Sequence, residues 1–240
     1  MDYRNFDMKS NSQVDVQSVD FARTFVANVF SWMFIALAIT ALTAWGFAES
    51  GMVTSLFSPD KHLNILGWIV MLAPLGLVFA LSAGLNRFSF GTLTLLFVLF
   101  AVLMGMSLSF ILLAYTGSSI ALTFVSTSAM FGVMAIAGYT TKTDLTKMGS
   151  LLFMGLIGII IASVVNAFLG SSTMDLVISI LGVIIFTGLT AYDVQKIKRI
   201  GESSPTGEMT RKLTIMGALT LYLDFINLFM FLLRFLGDRK

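Results

Sequence analysis

Residues 213–237 read LTIMGALTLYLDFINLFMFLLRFLG, apolar almost throughout, with Asp224 near the middle and Asn227 one turn on. Lipid cannot satisfy open backbone groups, and the stretch lacks the alternating polarity of a membrane β-strand, so it is read as a helix. Counted from Leu213, Asp224 is eleven residues in, or about 16 Å at 1.5 Å per residue. An ionised carboxylate at that depth costs roughly 2.5–3.5 kcal/mol on insertion scales. It needs a proton, a partner or water. Thr220, Asp224 and Asn227 share one helical face by their spacing of four and three, and that face should point into a bundle. The remainder is hydrophobic all round, as in a helix surrounded by others.

Composition extends this reading to the whole chain. Of 240 residues, 57% are hydrophobic and 12% charged, about half the charged share of soluble domains. Seven apolar runs are long enough to cross about 30 Å of hydrocarbon. They lie near 25–47, 64–84, 89–115, 118–139, 149–169, 174–198 and 212–236. The predicted fold class is all-α, an integral membrane seven-helix bundle with the last helix central. Short turns at 116–118 (TGS) and 170–173 (GSST) make their flanking helices antiparallel neighbours. We divide the chain into a polar cytoplasmic segment, 1–22, and a single transmembrane domain, 23–240. The polar, mixed-charge start does not read as a cleavable signal, so the first span acts as an uncleaved one.

Lys and Arg set the orientation. Eleven of the fifteen fall at one end of the predicted bundle, from Arg4 to Lys212; Lys61, Arg234, Arg239 and Lys240 fall at the other. The N-terminus is therefore expected in the cytoplasm and the C-terminus outside. The tail carries three of the four exceptions, which leaves a re-entrant last segment as the alternative to seven full spans. A net charge of +2 without a basic stripe gives no support for nucleic-acid binding.

Enzyme constellations are missing. There is no cysteine, and His62, the only histidine, lies in a loop, so histidine triads and HExxH are impossible. Ser107 has no base nearby in sequence. Two intramembrane aspartates keep an aspartyl protease only weakly in view. We expect no enzyme, no catalytic residue and no cofactor. Ala101, Gly105 and Ser109, like Gly158 and Ala162, recur every four residues and predict close helix approach. Pro74 interrupts the second span. Asn28 and Asn166 are read as interhelical bridges. Asp193 sits in TGLTAYDVQKIKRI, where its plainest role is pairing with Lys196 at i+3.

Three stretches together resemble the Bax inhibitor family of membrane proteins, in its bacterial branch. TLYLDFINLFMFLLRFLG is very similar to that family's last helix, TGLTAYDVQKIK to the end of its sixth, and FARTFVANVFSWMFIALAITALTAWG to its entry into the first. The resemblance covers about residues 21–237. It implies six helices wrapped around the last and a pH-sensitive calcium leak sensed by an aspartate pair. The matching residues are Asp193 and Asp224, which would also be the calcium ligands. Tyr192 and Asn227 would support them. The family also uses partners in its second helix; that span has no acidic residue here, and Arg87 is the only nearby base. The GDRK ending favours a bacterial inner membrane over a role in apoptosis.

Spacing alone opposes the pair. If the sixth helix ends near Lys198, Asp193 is about 8 Å from its end and Asp224 about twice as deep. Straight helices starting level would not join them. The functional readings are therefore a calcium leak channel or transporter, or a non-conducting protein that docks a membrane protease or other membrane partner through the charged 199–211 loop. An intramembrane hydrolase is a distant third. Membrane lipid and calcium are the expected partners.

Overall fold

The computed structural model describes residues 3–58, 60, 62–203 and 207–240. The described residues form seven long helices. They are α1 (Tyr3–Glu49), α2 (Ile65–Gly84), α3 (Phe90–Ala114), α4 (Gly117–Thr140), α5 (Thr146–Leu169), α6 (Ser172–Ser203) and α7 (Glu208–Leu236). A short 3-10 turn, Met52–Leu56, lies between α1 and α2. All seven are long and apolar enough to cross a membrane. The polar start of the chain does not stand apart from the first span, because α1 already begins at Tyr3.

Local sequence explains where helices stop and start. Asn64, Ser89 and Thr116 each accept an N–H from the first turn of the helix that follows, at 2.9, 3.2 and 3.3 Å. Gly170, in the left-handed conformation at φ 63°, ends α5 and lets α6 begin two residues later. Pro74 sits buried inside α2.

Helix α7 is the axis. Of its most apolar stretch, 61% is buried, against 6% for α5. It packs on α1, α3, α4 and α6, and Ile215, Ala218, Leu221, Tyr222 and Leu228 are fully enclosed. It also spans the bundle completely. At its start the Phe90 N–H, at the beginning of α3, reaches Glu208 Oε1 at 3.3 Å. Past its end the Lys240 N–H donates to Ala114 O, at the far end of α3, at 2.9 Å. Parallel course over that length, with 29 residues or about 43 Å of helix, excludes a re-entrant segment. The three tail cations are each occupied. Arg234 pairs with Asp175 at 3.3 Å, Arg239 lies 5.8 Å from the Tyr115 ring, and Lys240 Nζ donates to Leu112 O at 2.8 Å.

Small residues decide the close crossings, but only some of those the spacing suggested. A Cβ on Gly105 would stand 2.6 Å from Thr40 O, so α3 rests on the α1 backbone there. Gly138 of α4 meets the Ala191 carbonyl of α6 in the same way. Gly158 meets nothing within 4 Å among the described residues, and the close approach expected there is not made. In the core, Thr40 Oγ1 donates to Ala101 O at 2.9 Å and lies 2.7 Å from the Tyr222 hydroxyl, tying α1, α3 and α7.

Candidate functional site

Asp193 on α6 and Asp224 on α7 come together inside the bundle. They are 9% and 5% exposed, and their carboxyl groups are in hydrogen-bonding contact. No N–H or O–H of another described residue reaches the buried Oδ2 of Asp224; its neighbour is the other carboxyl. A carboxyl–carboxyl hydrogen bond needs one proton between the two, since two carboxylates offer only acceptors.

Both helices run past the apolar stretch by the same amount. α6 continues five residues past Lys198, so Asp193 lies ten residues, about 15 Å, from its end. α7 begins at Glu208, five residues before Leu213 and sixteen residues, about 24 Å, before Asp224. The lengthening leaves the offset at about 9 Å, so the contact requires that the ends of the two helices are not level. The i+3 pairing of Asp193 with Lys196 is not made; the exposed Lys196 sits 6.0 Å from the Tyr192 ring and acts on Asp193 only through space.

Both aspartates line a cavity of about 890 Å³ between α5, α6 and α7. It exists because α5 packs chiefly on α6 and stands off α7. Thr146, Ser150 and Lys196 lie at one end, and Asn227 and Phe231 toward the other. Thr220 and Asn227 line it too; each uses its own donor on a carbonyl of α7, at 3.1 and 2.8 Å. Their side-chain oxygens remain available as acceptors. Among the described residues no group of three or more His, Cys, Asp or Glu could hold a metal. The two carboxyls are joined in the cavity lining by neutral side-chain oxygens of Thr146, Ser150, Ser163, Tyr192, Thr220 and Asn227, an oxygen set suited to hard cations.

The other expected site residues divide. Tyr192 lines the cavity and lies flat on Gly149, whose Cβ would stand 2.5 Å from its ring. Arg87 is exposed in the α2–α3 turn and forms no ion pair among the described residues; α2 packs chiefly on α3 and the 3-10 turn, so Arg87 is not brought to the aspartates. Asn28 is exposed rather than enclosed between helices. Asn166 accepts the Ser171 N–H at 3.1 Å, closing the α5–α6 turn rather than joining distant helices.

Sequence reading missed what surrounds Asp193 in its motif. Gln195 holds the α4–α5 loop from both sides, accepting from the Leu145 N–H at 2.9 Å and donating to Thr143 O at 2.8 Å. Lys198 donates to Tyr139 O at 3.1 Å, at the end of α4. Arg199 pairs with Asp144 at 2.9 Å. Hydrogen bonds from the Thr146 hydroxyl and backbone, then from Arg199, hold the exposed Asp144 carboxyl down to about 2. The signal was the density of polar residues in YDVQKIKR, of which Gln195, Lys198 and Arg199 reach the end of α4 and the α4–α5 loop.

With this geometry in hand, comparison with known proteins is decisive. The Bax1-I family model, described as inhibitor of apoptosis-promoting Bax1, matches residues 22–240. The chain belongs to the Bax inhibitor family. It is 48% identical over 220 residues to inner membrane protein YbhL of Escherichia coli (strain K12), covering 91% of this chain and 93% of that one. An uncharacterized Borreliella burgdorferi protein is 46% identical, with 93% and 96% covered. YrjE of Lactococcus lactis is 35% identical, with 96% and 97% covered. Seven apolar helices and an inner-membrane relative support a multi-pass inner-membrane location for this family member.

Proposed function

We propose that this Bax inhibitor family protein is a pH-sensitive leak pathway for calcium, with Asp193 and Asp224 as its sensor. The observation that carries the reading is two buried carboxyls in contact on the wall of an open, largely apolar cavity between α5, α6 and α7. With one proton between them they hold α6 to α7. Loss of that proton leaves two like charges in contact, which titrate as one unit and drive the helices apart. With two carboxyls and the remaining oxygens spread along the cavity, the set fits a passing ion better than a stored one, because calcium takes six to eight oxygens when held. Water would complete the shell.

The test is calcium flux into liposomes between pH 5 and 8. The wild-type rate should change with pH, and Asp193→Asn or Asp224→Asn should flatten the profile. Asp144→Asn serves as the control. Its carboxyl, held down in the folded protein, contributes stability above the ordinary carboxylate value that is lost only as pH falls through about 2. It is constant across this window, so its removal should leave the profile unchanged. Wild-type behaviour in both buried variants overturns the reading. No flux at any pH, with a membrane protein co-purifying, puts the non-conducting docking role in its place.

A further inference from the structure

Asp224, Asn227, Phe231 and Arg234 are spaced three, four and three apart, so they form one stripe along α7. Three are polar. The fourth, Phe231, lines the cavity beyond Asn227 on the way to Asp175. Its ring stacks on Phe186 of α6 at 5.8 Å and 27°. It is seated on Gly182, whose absent side chain makes the room: a Cβ there would be 2.5 Å from the ring. One turn farther, the Arg234 guanidinium lies 5.8 Å from the same ring and pairs with Asp175 of α6 at 3.3 Å.

The two ends of the cavity therefore differ in kind. At the Lys196 end the lining side chains of Thr146, Ser150 and Lys196 are exposed and polar. Toward Asp175 an aromatic pair stands between the aspartates and the Arg234–Asp175 ion pair, and Ser163, on the α5 wall, spends its hydroxyl proton on Ile159 O at 2.7 Å. The flanks, such as Phe153 and Ile160, are exposed and apolar, and so are suited to lipid. A hydrophobic constriction of this kind blocks ions by excluding water.

We infer that Phe231, stacked on Phe186, is the barrier that closes the aspartate cavity toward the Asp175 face, leaving it open to water from the Lys196 face alone. The barrier serves the leak reading above, yet it can be tested without flux. The chain has no cysteine, so single cysteines report cleanly. Asn227→Cys is introduced and reacted with a charged, membrane-impermeant thiol reagent applied to one face of sealed vesicles at a time. Glu202→Cys and Asp238→Cys identify the two faces, and Ser150→Cys reports on the cavity mouth.

Asn227→Cys should be labelled from the Lys196 face only. Adding Phe231→Ala should bring labelling from the Asp175 face as well, while Phe231→Leu, which keeps apolar bulk, should not. Labelling from both faces or from neither without Phe231→Ala overturns the barrier, as does one-sided labelling that Phe231→Ala leaves unchanged. Loss of Ser150→Cys labelling in the Phe231→Ala background also counts against it, because the ring would then be a packing element rather than a barrier. If labelling switches but no calcium moves, the barrier stands and the leak reading falls. If calcium moves and labelling does not switch, only the barrier falls.

Discussion

Helices α5 and α7 cross the same membrane and sit at opposite extremes of the bundle. α5 is the more hydrophobic of the two, yet only 6% of its apolar stretch is buried, against 61% for α7. In water that order would be reversed. In lipid, apolar surface gains nothing by leaving the solvent, so burial goes to the helix whose polar groups need partners. α7 carries Thr220, Asp224 and Asn227 on one face and the Tyr222 hydroxyl on another. α5 carries little that lipid would refuse, and it stands off α7 far enough to leave the aspartate cavity between them.

Added bulk should therefore be felt in proportion to enclosure. Ala218→Phe, at a site on α7 with no exposure, should cost about 3 kcal/mol, the upper end of the range for overpacked contacts. Thermal unfolding in detergent would show it as a large fall in midpoint. Gly149→Leu, at the start of α5, must displace the Tyr192 ring. A flexible side chain can yield, so about 1–2 kcal/mol is expected in the same measurement. Gly158→Leu, farther along α5 where nothing lies within 4 Å, should change stability by less than about 0.5 kcal/mol. Equal losses at Gly158 and Ala218 would break the contrast between the two helices.

The same contrast marks what could be read from the residues. Seven spans and a central last helix followed from hydropathy and from the polar face around Asp224, because lipid forces both. The contact between Asp193 and Asp224 did not follow from spacing. It depends on how far the ends of α6 and α7 stand from level, which a count of residues along each helix does not give; α6 ends at Ser203 and α7 begins at Glu208, each five residues beyond the apolar run. The small-residue spacing was right at Gly105 and empty at Gly158, since a spacing names a face and not what lies against it. The hold of Gln195, Lys198 and Arg199 on the α4–α5 loop was invisible because each partner is 50 or more residues away.

The central claim is that the two aspartates act as one titrating unit. A double-mutant cycle on the ratio of calcium flux at pH 8 to that at pH 5 tests it most directly. The Asp193→Asn/Asp224→Asn variant should behave like either single variant, because removing one carboxyl already dissolves the unit. Independent, additive losses of pH dependence in the double variant would contradict it.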